Sequence, residues 1–413
     1  MCACSSKPIL SCSRLQIFAW PLRAIKCFLG GRLFDITLLL IPGGVTALGL
    51  AWLGSGRLSG VDRKATVEFL LFFPWQTLGL TLAKCGHDSW VLSRGMEWKG
   101  RHIRLMPFVI RRVLPLASII SIVLLLHFPV FDAVIALVTI AVDTVSVVVA
   151  NEMYAHGRIR AAAIGQFFRY PLFVVLFVIA SFTCGVGKNL LFVLFMISAI
   201  SRLCCLLVLR GRSEMVFDEQ YPGGQMAVQQ LLNYGLFKND QLAMALVGSS
   251  TVEQGRIFVY LARFPELVSA VVVALAPMFF PKIYSTQAKG HTREIIIFLL
   301  IVASVIIVGA FGFGRFSPAG MVTDFSPFAA IAIHGLLVGP VNFKTYELLR
   351  SKNESFLMAA LVRSNLFGIG LIAVATLGSV RLSSNVLWVV PAQQLVFLLI
   401  SRSKHSRYLS ETE

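Results

Sequence analysis

The chain has 413 residues, of which 57% are hydrophobic and 14% are charged, and its mean hydropathy is +0.79. Soluble domains carry about 25% charged residues, and no soluble core could hide this much apolar surface, so the sequence predicts a protein whose solvent is lipid. The net charge of +17 would suit nucleic acid if the basic residues shared one exposed face, but they lie between apolar runs and nucleic acid is not an expected partner.

Apolar runs divide the sequence into predicted membrane spans. A spanning helix needs roughly 20 mostly apolar residues. Residues 1–32 carry five basic residues ahead of the first such run, which predicts a cytoplasmic N-terminal segment. The expected fold class is therefore all-α and integral to the membrane, with about 12 transmembrane helices. The predicted spans are 34–54, 65–83, 106–127, 129–150, 164–184, 189–209, 226–248, 257–280, 295–313, 325–343, 355–378 and 384–401.

The span at 226–248 is interrupted by polar residues, among them Lys238, Asn239 and Asp240. If it did not cross, the topology of the whole second half would invert. The positive-inside rule tests this point. With a cytoplasmic N-terminus and twelve crossings, the cytoplasmic segments hold 26 Lys and Arg residues, Arg169 among them, and the opposite side holds seven. Because the bias persists through the second half, the span is predicted to cross and both termini to be cytoplasmic.

Two segments of the chain resemble each other at an offset of 191 residues: Val61-Asp62 corresponds to Val252-Glu253, and Phe73-Pro74 to Phe264-Pro265. Each segment follows the first helix of a six-helix half. Since six is even, the two halves enter the membrane in the same direction, as a parallel repeat of the kind used for alternating access. The predicted domains are a cytoplasmic segment 1–32, an N-terminal six-helix bundle 33–212, a cytoplasmic linker 213–224, a C-terminal six-helix bundle 225–402 and a cytoplasmic tail 403–413.

Ionisable groups at membrane depth are the candidate site residues, because they are costly there and usually face a cavity or a partner. Lys238, Asn239 and Asp240 lie in the middle of span 226–248. Adjacent helical positions differ by about 100°, so Lys238 and Asp240 cannot both face one cavity squarely. One of them is expected to face the lumen while the other bonds a neighbouring helix. A purely structural polar contact between the bundles is the alternative.

Two arginines lie inside predicted spans of the second half. Arg263 has Glu266 three residues later on the same helix face, so it is either a lumenal cation for an anionic substrate or half of a local ion pair. Arg363 lies about one third of the way along its span, followed by Ser364 and Asn365. To reach the interface from there it would have to extend roughly 12 Å, which favours a cavity-facing position. A planar guanidinium suits phosphate, which it can bind with two parallel hydrogen bonds.

Acidic and amide residues form a second set of candidates. Asp143 lies deep in span 129–150 and shares a helix face with Asp132, eleven residues earlier. It is a candidate for carrying a coupling proton or binding a cation, and a neutral, hydrogen-bonded carboxylic acid is the alternative. Asn239, Asp240 and Asn365 are assigned with it to ion coupling or to the polar lining of the lumen. His334 is a candidate titrating group, with a packing role as the alternative.

Catalytic motifs are missing from the sequence. It contains no phosphate-binding loop, no GxSxG elbow, no HExxH helix and no CxxC pair. The predicted loops are too short, at about two dozen residues or fewer, to hold a soluble catalytic domain. No enzyme activity, cofactor or metal is therefore predicted, and any pumping must draw on an ion gradient or on substrate flux.

Two stretches have distinctive residues: Ala83-Lys84-Cys85-Gly86-His87-Asp88 with Arg94, and the run from Asn239-Asp240 through Arg263 to Lys289-Gly290. They resemble the end of the second helix and the seventh and eighth helices of the bacterial polysaccharide (O-antigen type) flippases. That family belongs to the multidrug/oligosaccharidyl-lipid/polysaccharide exporter superfamily. These motifs cover under a fifth of the chain, while the likeness in length and topology covers all of it.

The resemblance implies a V-shaped pair of six-helix bundles that flips a polyprenyl-diphosphate-linked oligosaccharide across the bacterial inner membrane. Members of the family typically line the lumen with cations, so Lys238, Arg263 and Arg363 are implied to meet the diphosphate or acidic sugars. Glu266 and Asp240 depart from that pattern and dilute the positive field. The implied partners are the lipid-linked oligosaccharide, the bilayer and, as further candidates, a polysaccharide polymerase and glycosyltransferases.

Other classes of protein compete with this interpretation. An ion-coupled multidrug exporter of the same superfamily could use Asp35 and Asp143, but the deep basic residues fit a cationic drug poorly. Lipid II flippases usually carry two further helices. A major-facilitator carrier has a Gly-x-x-x-Asp-Arg loop where this sequence reads Arg94-Gly95-Met96-Glu97. A membrane-embedded polysaccharide polymerase or acyltransferase would need an acid/base pair on a longer loop than any predicted here.

Overall fold

The computed structural model describes long helices in nine of the twelve predicted spans. The predicted spans 34–54, 257–280 and 295–313 lie wholly or largely outside the described residues. The described residues are 38, 41–42, 44–46, 49, 53, 62–84, 86–87, 101–127, 129–210, 214–216, 223–247, 258, 261–269, 300–301, 303–304, 307–308, 325–350, 354–378 and 384–410.

Helices account for nearly all of the described secondary structure. The first half contains α1 (Arg63–Lys84), α2 (Leu105–Phe108), a π-helical turn (Val109–Val113), α3 (Leu114–His127), α4 (Val130–Ala155), α5 (Ile159–Phe167), α6 (Tyr170–Thr183) and α7 (Lys188–Leu209). The second half contains α8 (Gly223–Val247), α9 (Phe325–Arg350), α10 (Glu354–Gly378), a 3₁₀ turn (Ser384–Trp388) and α11 (Val389–Ser410). Residues 261–269 are also helical.

Several of these helices have the length and composition of membrane spans. Within the described residues, six stretches are long and apolar enough to cross a bilayer, while α1 and α8 have similar length but more polar residues. The predicted span at 384–401 is also helical, and its helix continues to Ser410 into the segment predicted as a tail. The six stretches are Leu105–Leu126, Val130–Tyr154, Ile159–Thr183, Lys188–Leu209, Ser326–Thr345 and Glu354–Leu377.

Helices recur along the chain at a nearly constant interval. The starts of three helical stretches in the first half lie 195, 195 and 196 residues before the starts of three stretches in the second half. This spacing is close to the offset of 191 that the sequence suggested, and it agrees with two halves built on one plan. The corresponding first residues are Val130 and Phe325, Ile159 and Glu354, and Lys188 and Ser384.

The fifth span is broken at Arg169, between α5 and α6. Arg169 has φ −91° and ψ −88°, which is not helical, and Pro171 follows in the first turn of α6. Proline suits a first turn because the amide hydrogen that it lacks would have no helical partner there. Arg169 was expected among the cytoplasmic basic residues, and that expectation is wrong, because its side chain is completely buried within the span.

Aromatic rings fill the core of the first half. Phe69 is fully buried, and its ring centroid lies 5.2–5.6 Å from those of Phe173, Phe192 and Phe195. In lipid, helices associate chiefly through close van der Waals packing, and small residues permit the closest approach. Gly165 illustrates this, since a Cβ at that position would overlap a methyl carbon of Leu206.

Two short strands pair at one end of the first half. Strand β1 (Arg101–Ile103) comes after α1 in the chain, strand β2 (Glu214–Val216) comes after α7, and the two strands are parallel. Gly86, directly after α1, lies against Met226 at the start of α8 and has a positive φ of 77°. All of these segments therefore lie on the same side of the bundle.

Candidate functional site

Two candidate residues of the second half, Lys238 and Arg263, lie where α8 and residues 261–269 approach α1 of the first half. The Tyr234 hydroxyl on α8 donates a hydrogen bond of 2.6 Å to the carbonyl oxygen of Pro74 on α1. The Arg263 guanidinium carbon lies 5.4 Å from the ring centroid of Phe73, within the range of a cation–π contact. These contacts place Lys238 and Arg263 beside the boundary between the two halves.

Glu266 joins the two predicted cations of this region. Its carboxylate forms an ion pair with Lys238 through Oε1 and accepts a hydrogen bond of 2.6 Å from Nη1 of Arg263 through Oε2. Gln241 donates a third bond of 3.1 Å, to Oε1. The local Arg263–Glu266 pair that the sequence offered as one alternative is therefore present, and Lys238 joins it from α8.

The two cations of this group are bonded to one carboxylate, while a second carboxylate, that of Asp240, acts on Lys238 only through space. Lys238 and Arg263 share one carboxylate, so their formal charges with Glu266 sum to +1. Asp240 is not part of these ion pairs: it is 2% exposed, and its carboxylate accepts the backbone N–H of Gln241 at 2.7 Å. Lys238 and Glu266 are partly accessible, at 18% and 24% exposure.

The Arg263 side chain is 3% exposed, and its Nε has no hydrogen-bond partner among the described residues. A buried guanidinium N–H without a partner carries a desolvation cost. His334 on α9 is also buried and lies within electrostatic range of Lys238 and Glu266. The group therefore combines a spare donor with a buried imidazole.

Three amide side chains of the second half, on α8, α10 and α11, bond one another. Asn239 donates to the oxygens of Asn365 and Gln393, both at 3.2 Å, and Gln393 donates to Asn365 at 3.1 Å. Asn365 also donates to the backbone carbonyls of Leu232 and Leu361. The cluster ties α8, α10 and α11 together. Asn239 and Asn365, which the sequence assigned separately to a polar lumen, are thus brought into contact.

Arg363 is not part of either group. It lies on the exposed side of α10 with Val362, Leu366 and Phe367, whereas Ser364 and Asn365 point inward. The structure therefore does not bring the three predicted lumenal cations together: Lys238 and Arg263 share a partner, and Arg363 lies on a different surface.

A second charged cluster lies inside the first half, around Asp143. Arg169 donates hydrogen bonds to this carboxylate from Nε at 2.8 Å and from Nη2 at 2.7 Å. Gln76 donates a further bond at 2.9 Å. Nη1 of Arg202 lies 3.8 Å away, and the carboxylate is 2% exposed. Asp143 is thus held in a buried ion pair with Arg169, and its role in ion coupling stays a prediction.

All three guanidinium nitrogens of Arg169 donate hydrogen bonds. Nε and Nη2 bond Asp143, and Nη1 donates to the Phe195 carbonyl and to Ser198. Arg202 is less well satisfied: it is 5% exposed, and its Nε lacks a partner among the described residues. Asp132, which shares the helix face of Asp143, instead bonds Lys188 at 2.8 Å, and Lys188 also reaches Glu68 at 3.2 Å. The two aspartates therefore serve different ion pairs.

Two phenylalanine rings lie between the charged groups of the two halves. The Arg169 guanidinium carbon lies 3.8 Å from the Phe195 ring centroid, and Phe195 lies 4.9 Å from Phe73, which contacts Arg263. Tyr170 is within electrostatic range of Arg169 and of Glu266. The Asp143 cluster and the Glu266 group are consequently neighbours across the boundary between the halves.

Sequence reasoning missed several charged and amide residues of these clusters, among them Gln76, Arg169, Arg202, Gln241 and Gln393. Arg202 lies inside α7, within a predicted span, so the rule that flags charges at membrane depth would have found it. Arg169 lies inside the predicted span 164–184, but counting it with the cytoplasmic basic residues removed it from the charges at membrane depth. Gln76 and Gln393 are uncharged, so the same rule does not apply to them.

No protein-family model matches the chain, and no curated protein is similar to it in sequence. Its fold, however, resembles solved structures over nearly its whole length. A structure of MATE in complex with Br-NRF has a TM-score of 0.60 at 13% identity, covering 95% of this chain and 97% of that one. A MOP superfamily transporter from Pyrococcus furiosus, whose binding pocket is described as having reversed polarity, has a TM-score of 0.59 at 15% identity over 95% and 99%.

A third structure shows an inward-facing multidrug resistance MATE family transporter of the MOP superfamily. Its TM-score is 0.59 at 12% identity, covering 91% of this chain and 95% of that one. At such identities the likeness concerns the fold. The chain is therefore an all-α integral membrane protein with the fold of the MOP superfamily transporters, and the predicted fold class, about 12 helices in two six-helix bundles, is confirmed.

Proposed function

We propose that this chain is a membrane transporter that flips a polyprenyl-diphosphate-linked oligosaccharide, an O-antigen or other surface-polysaccharide repeat unit, by alternating access. The observation that carries the proposal is the pairing of Lys238 and Arg263 with a single carboxylate beside the contact between the two halves. In alternating-access folds the substrate site lies at the interface of the repeats.

The chemistry of this group suits a phosphate-bearing substrate. An ammonium and a guanidinium make charge-assisted hydrogen bonds to phosphate oxygens, and the guanidinium can make two in parallel. Lys238 is partly accessible, so a headgroup that enters between the halves can reach it. Because Nε of Arg263 has no partner among the described residues, the group keeps a cationic donor that an anionic substrate can use and a cationic one cannot.

The proposed setting is the bacterial inner membrane, with both termini in the cytoplasm. Flanking Lys and Arg residues support this orientation, and the pairing of β1 with β2 agrees with it by holding two segments predicted to be cytoplasmic on one side. A polysaccharide polymerase and glycosyltransferases are the proposed functional partners, since they would use or supply such a substrate. We propose that the substrate is transported without chemical change.

A mutational test in cells follows from the shared carboxylate. Lys238→Met and Arg263→Ala are expected to reduce surface polysaccharide at least tenfold at equal protein level, because each removes a cation from the group. Lys344→Met is the matched control, since Lys344 is similarly exposed and pairs with Glu347, three residues away, on α9. Surface polysaccharide at the wild-type level in both site variants would refute the assignment.

Arg363 remains a predicted substrate-binding cation with a separate test. If the exposed side of α10 lines the cleft, Arg363→Ala should lower surface polysaccharide as the other two variants do. A wild-type level in that variant alone would remove Arg363 from the site and leave the proposal for Lys238 and Arg263 standing.

An ion-coupled multidrug exporter is the second candidate function. The multidrug MATE structures of the same fold favour it, and so does the position of two carboxylates, Asp240 and Glu266, near the boundary between the halves. In that case Asp240→Asn should abolish resistance to cationic drugs in cells. Unchanged drug resistance on deletion of the whole protein would exclude this function.

A further inference from the structure

Glu266 has an unusual number of donors for a partly exposed carboxylate. Both of its oxygens are engaged: Oε1 by Lys238 and Gln241, and Oε2 by Arg263. At the same time the side chain is 24% exposed. A carboxylate that accepts bonds from two cations and an amide is surrounded by the same donor types that bind a phosphate group.

We propose that Glu266 is an internal counter-ion. Its carboxylate occupies the position at which the substrate's diphosphate binds, and it is displaced when the substrate binds. This inference rests on the proposed function. Cations at membrane depth need a compensating anion at every stage of a transport cycle, because an unpaired buried charge is strongly destabilising. Glu266 provides that anion when no substrate is present.

The Glu266 carboxylate does not satisfy all the hydrogen-bond donors of Arg263. The Glu266 carboxylate takes a hydrogen bond from Nη1 of Arg263, whereas the buried Nε remains without a partner in the described part of the chain. A phosphate group has enough oxygens to accept from Nε and from a terminal nitrogen together, which is the parallel pairing that guanidinium groups favour. Exchange of carboxylate for phosphate would therefore satisfy a donor that Glu266 leaves unsatisfied.

The displacement also predicts a preference for highly charged headgroups. A ligand must compete with a carboxylate that is tethered next to the cations and so has a high effective concentration. A diphosphate offers more negative charge and more acceptor oxygens than a monophosphate. We therefore expect the wild-type protein to prefer the diphosphate form of a polyprenyl lipid over the monophosphate form.

Binding to the purified full-length protein in detergent tests the inference, with a long-chain polyprenyl diphosphate as the probe. Glu266→Gln removes the competing charge and keeps the shape, so its affinity for the probe should rise roughly tenfold and its preference over the monophosphate should shrink. Glu347→Gln is the matched control, because Glu347 also pairs with a cation three residues away on its own helix. It should bind as the wild type does.

Glu266→Asp provides a second arm in case the glutamine variant does not fold, as judged by its melting temperature. The shorter side chain cannot span Lys238 and Arg263 equally well, so an affinity roughly two- to fivefold above wild type is expected from a partial loss of the tethered competitor. Wild-type or weaker affinity in the folded Glu266 variants, with a wild-type protein that binds, would overturn the inference and leave the proposed function intact. Folded wild type and variants that all fail to bind would overturn both.

Discussion

Asp143 offers the sharpest test of how charge is arranged inside the first half. In the structure its carboxylate is 2% exposed, is gripped by two nitrogens of Arg169 and has Arg202 at 3.8 Å. Asp143→Asn keeps the size of the side chain but removes the charge that compensates these two arginines. We expect a large loss of stability, because both guanidinium groups then lie buried without a counter-ion.

The expected size of this loss follows from buried ion pairs in general. Removing one partner of a buried pair costs about 3–5 kcal/mol. For a unit of about 150–250 residues, which is the size of the predicted bundle 33–212, 1 kcal/mol shifts the melting temperature by about 2–4 °C. Asp143→Asn should therefore lower the melting temperature by roughly 6–20 °C.

The assay is thermal unfolding of the detergent-solubilised protein, followed by size-exclusion chromatography of a fluorescent fusion. Asp132→Asn is the comparison, because Asp132 is equally buried but pairs with Lys188, which is 22% exposed and can turn toward water. Its melting temperature should fall less. A change below about 2 °C in Asp143→Asn, together with lost transport, would refute the structural ion pair and support the coupling role that the sequence suggested.

Three further variants test close contacts of the fold. Tyr234→Phe removes the 2.6 Å hydrogen bond between the halves. Because one such bond contributes about 0.5–1.5 kcal/mol, the equilibrium between closed and open halves should shift several-fold, as measured by distances between spin labels. An unchanged distance distribution would count against the bond. Gly86→Ala should lower the melting temperature more than Gly157→Ala. Both glycines have a positive φ, but a Cβ at Gly86 would also meet side-chain and backbone atoms of α8 within 4 Å. Equal effects of the two substitutions would mean that this packing is unimportant. Gly235→Ala should destabilise the protein by about 1–3 kcal/mol, because its Cβ would overlap the amide oxygen of Asn365, whereas Gly370→Ala has open space; matching melting temperatures would contradict the amide cluster.

Hydropathy was sufficient to predict the class of fold and the nine spans that the structure describes as helical. Most of these spans are long and apolar, so their existence is set locally by the cost of exposing backbone and charge to lipid. The same logic identified Lys238 and Arg263, because a charge inside an apolar run is expensive whatever its partners are. It also identified Glu266 as a neighbour of Arg263, since the two lie one helical turn apart.

Contacts between helices could not be predicted in this way. The Lys238–Glu266 pair depends on how α8 packs against residues 261–269, and neither helix alone encodes that packing. The burial of Arg169 depends on the helix break between α5 and α6 and on its partner Asp143 on α4, and hydropathy reveals neither. The amide cluster joins Asn239 to Gln393 across 154 residues, a pairing that depends on the tertiary fold and has no local sequence signal.

Lipid flipping by the purified protein tests the central claim most directly. The full-length chain would be reconstituted in liposomes with a fluorescent polyprenyl-diphosphate oligosaccharide, and a membrane-impermeant quencher would report which leaflet holds the label. The account predicts transfer between leaflets by the wild type and at least a tenfold lower rate for Arg263→Ala. Transfer no faster than in protein-free liposomes, from a preparation that does export a cationic dye, would contradict it.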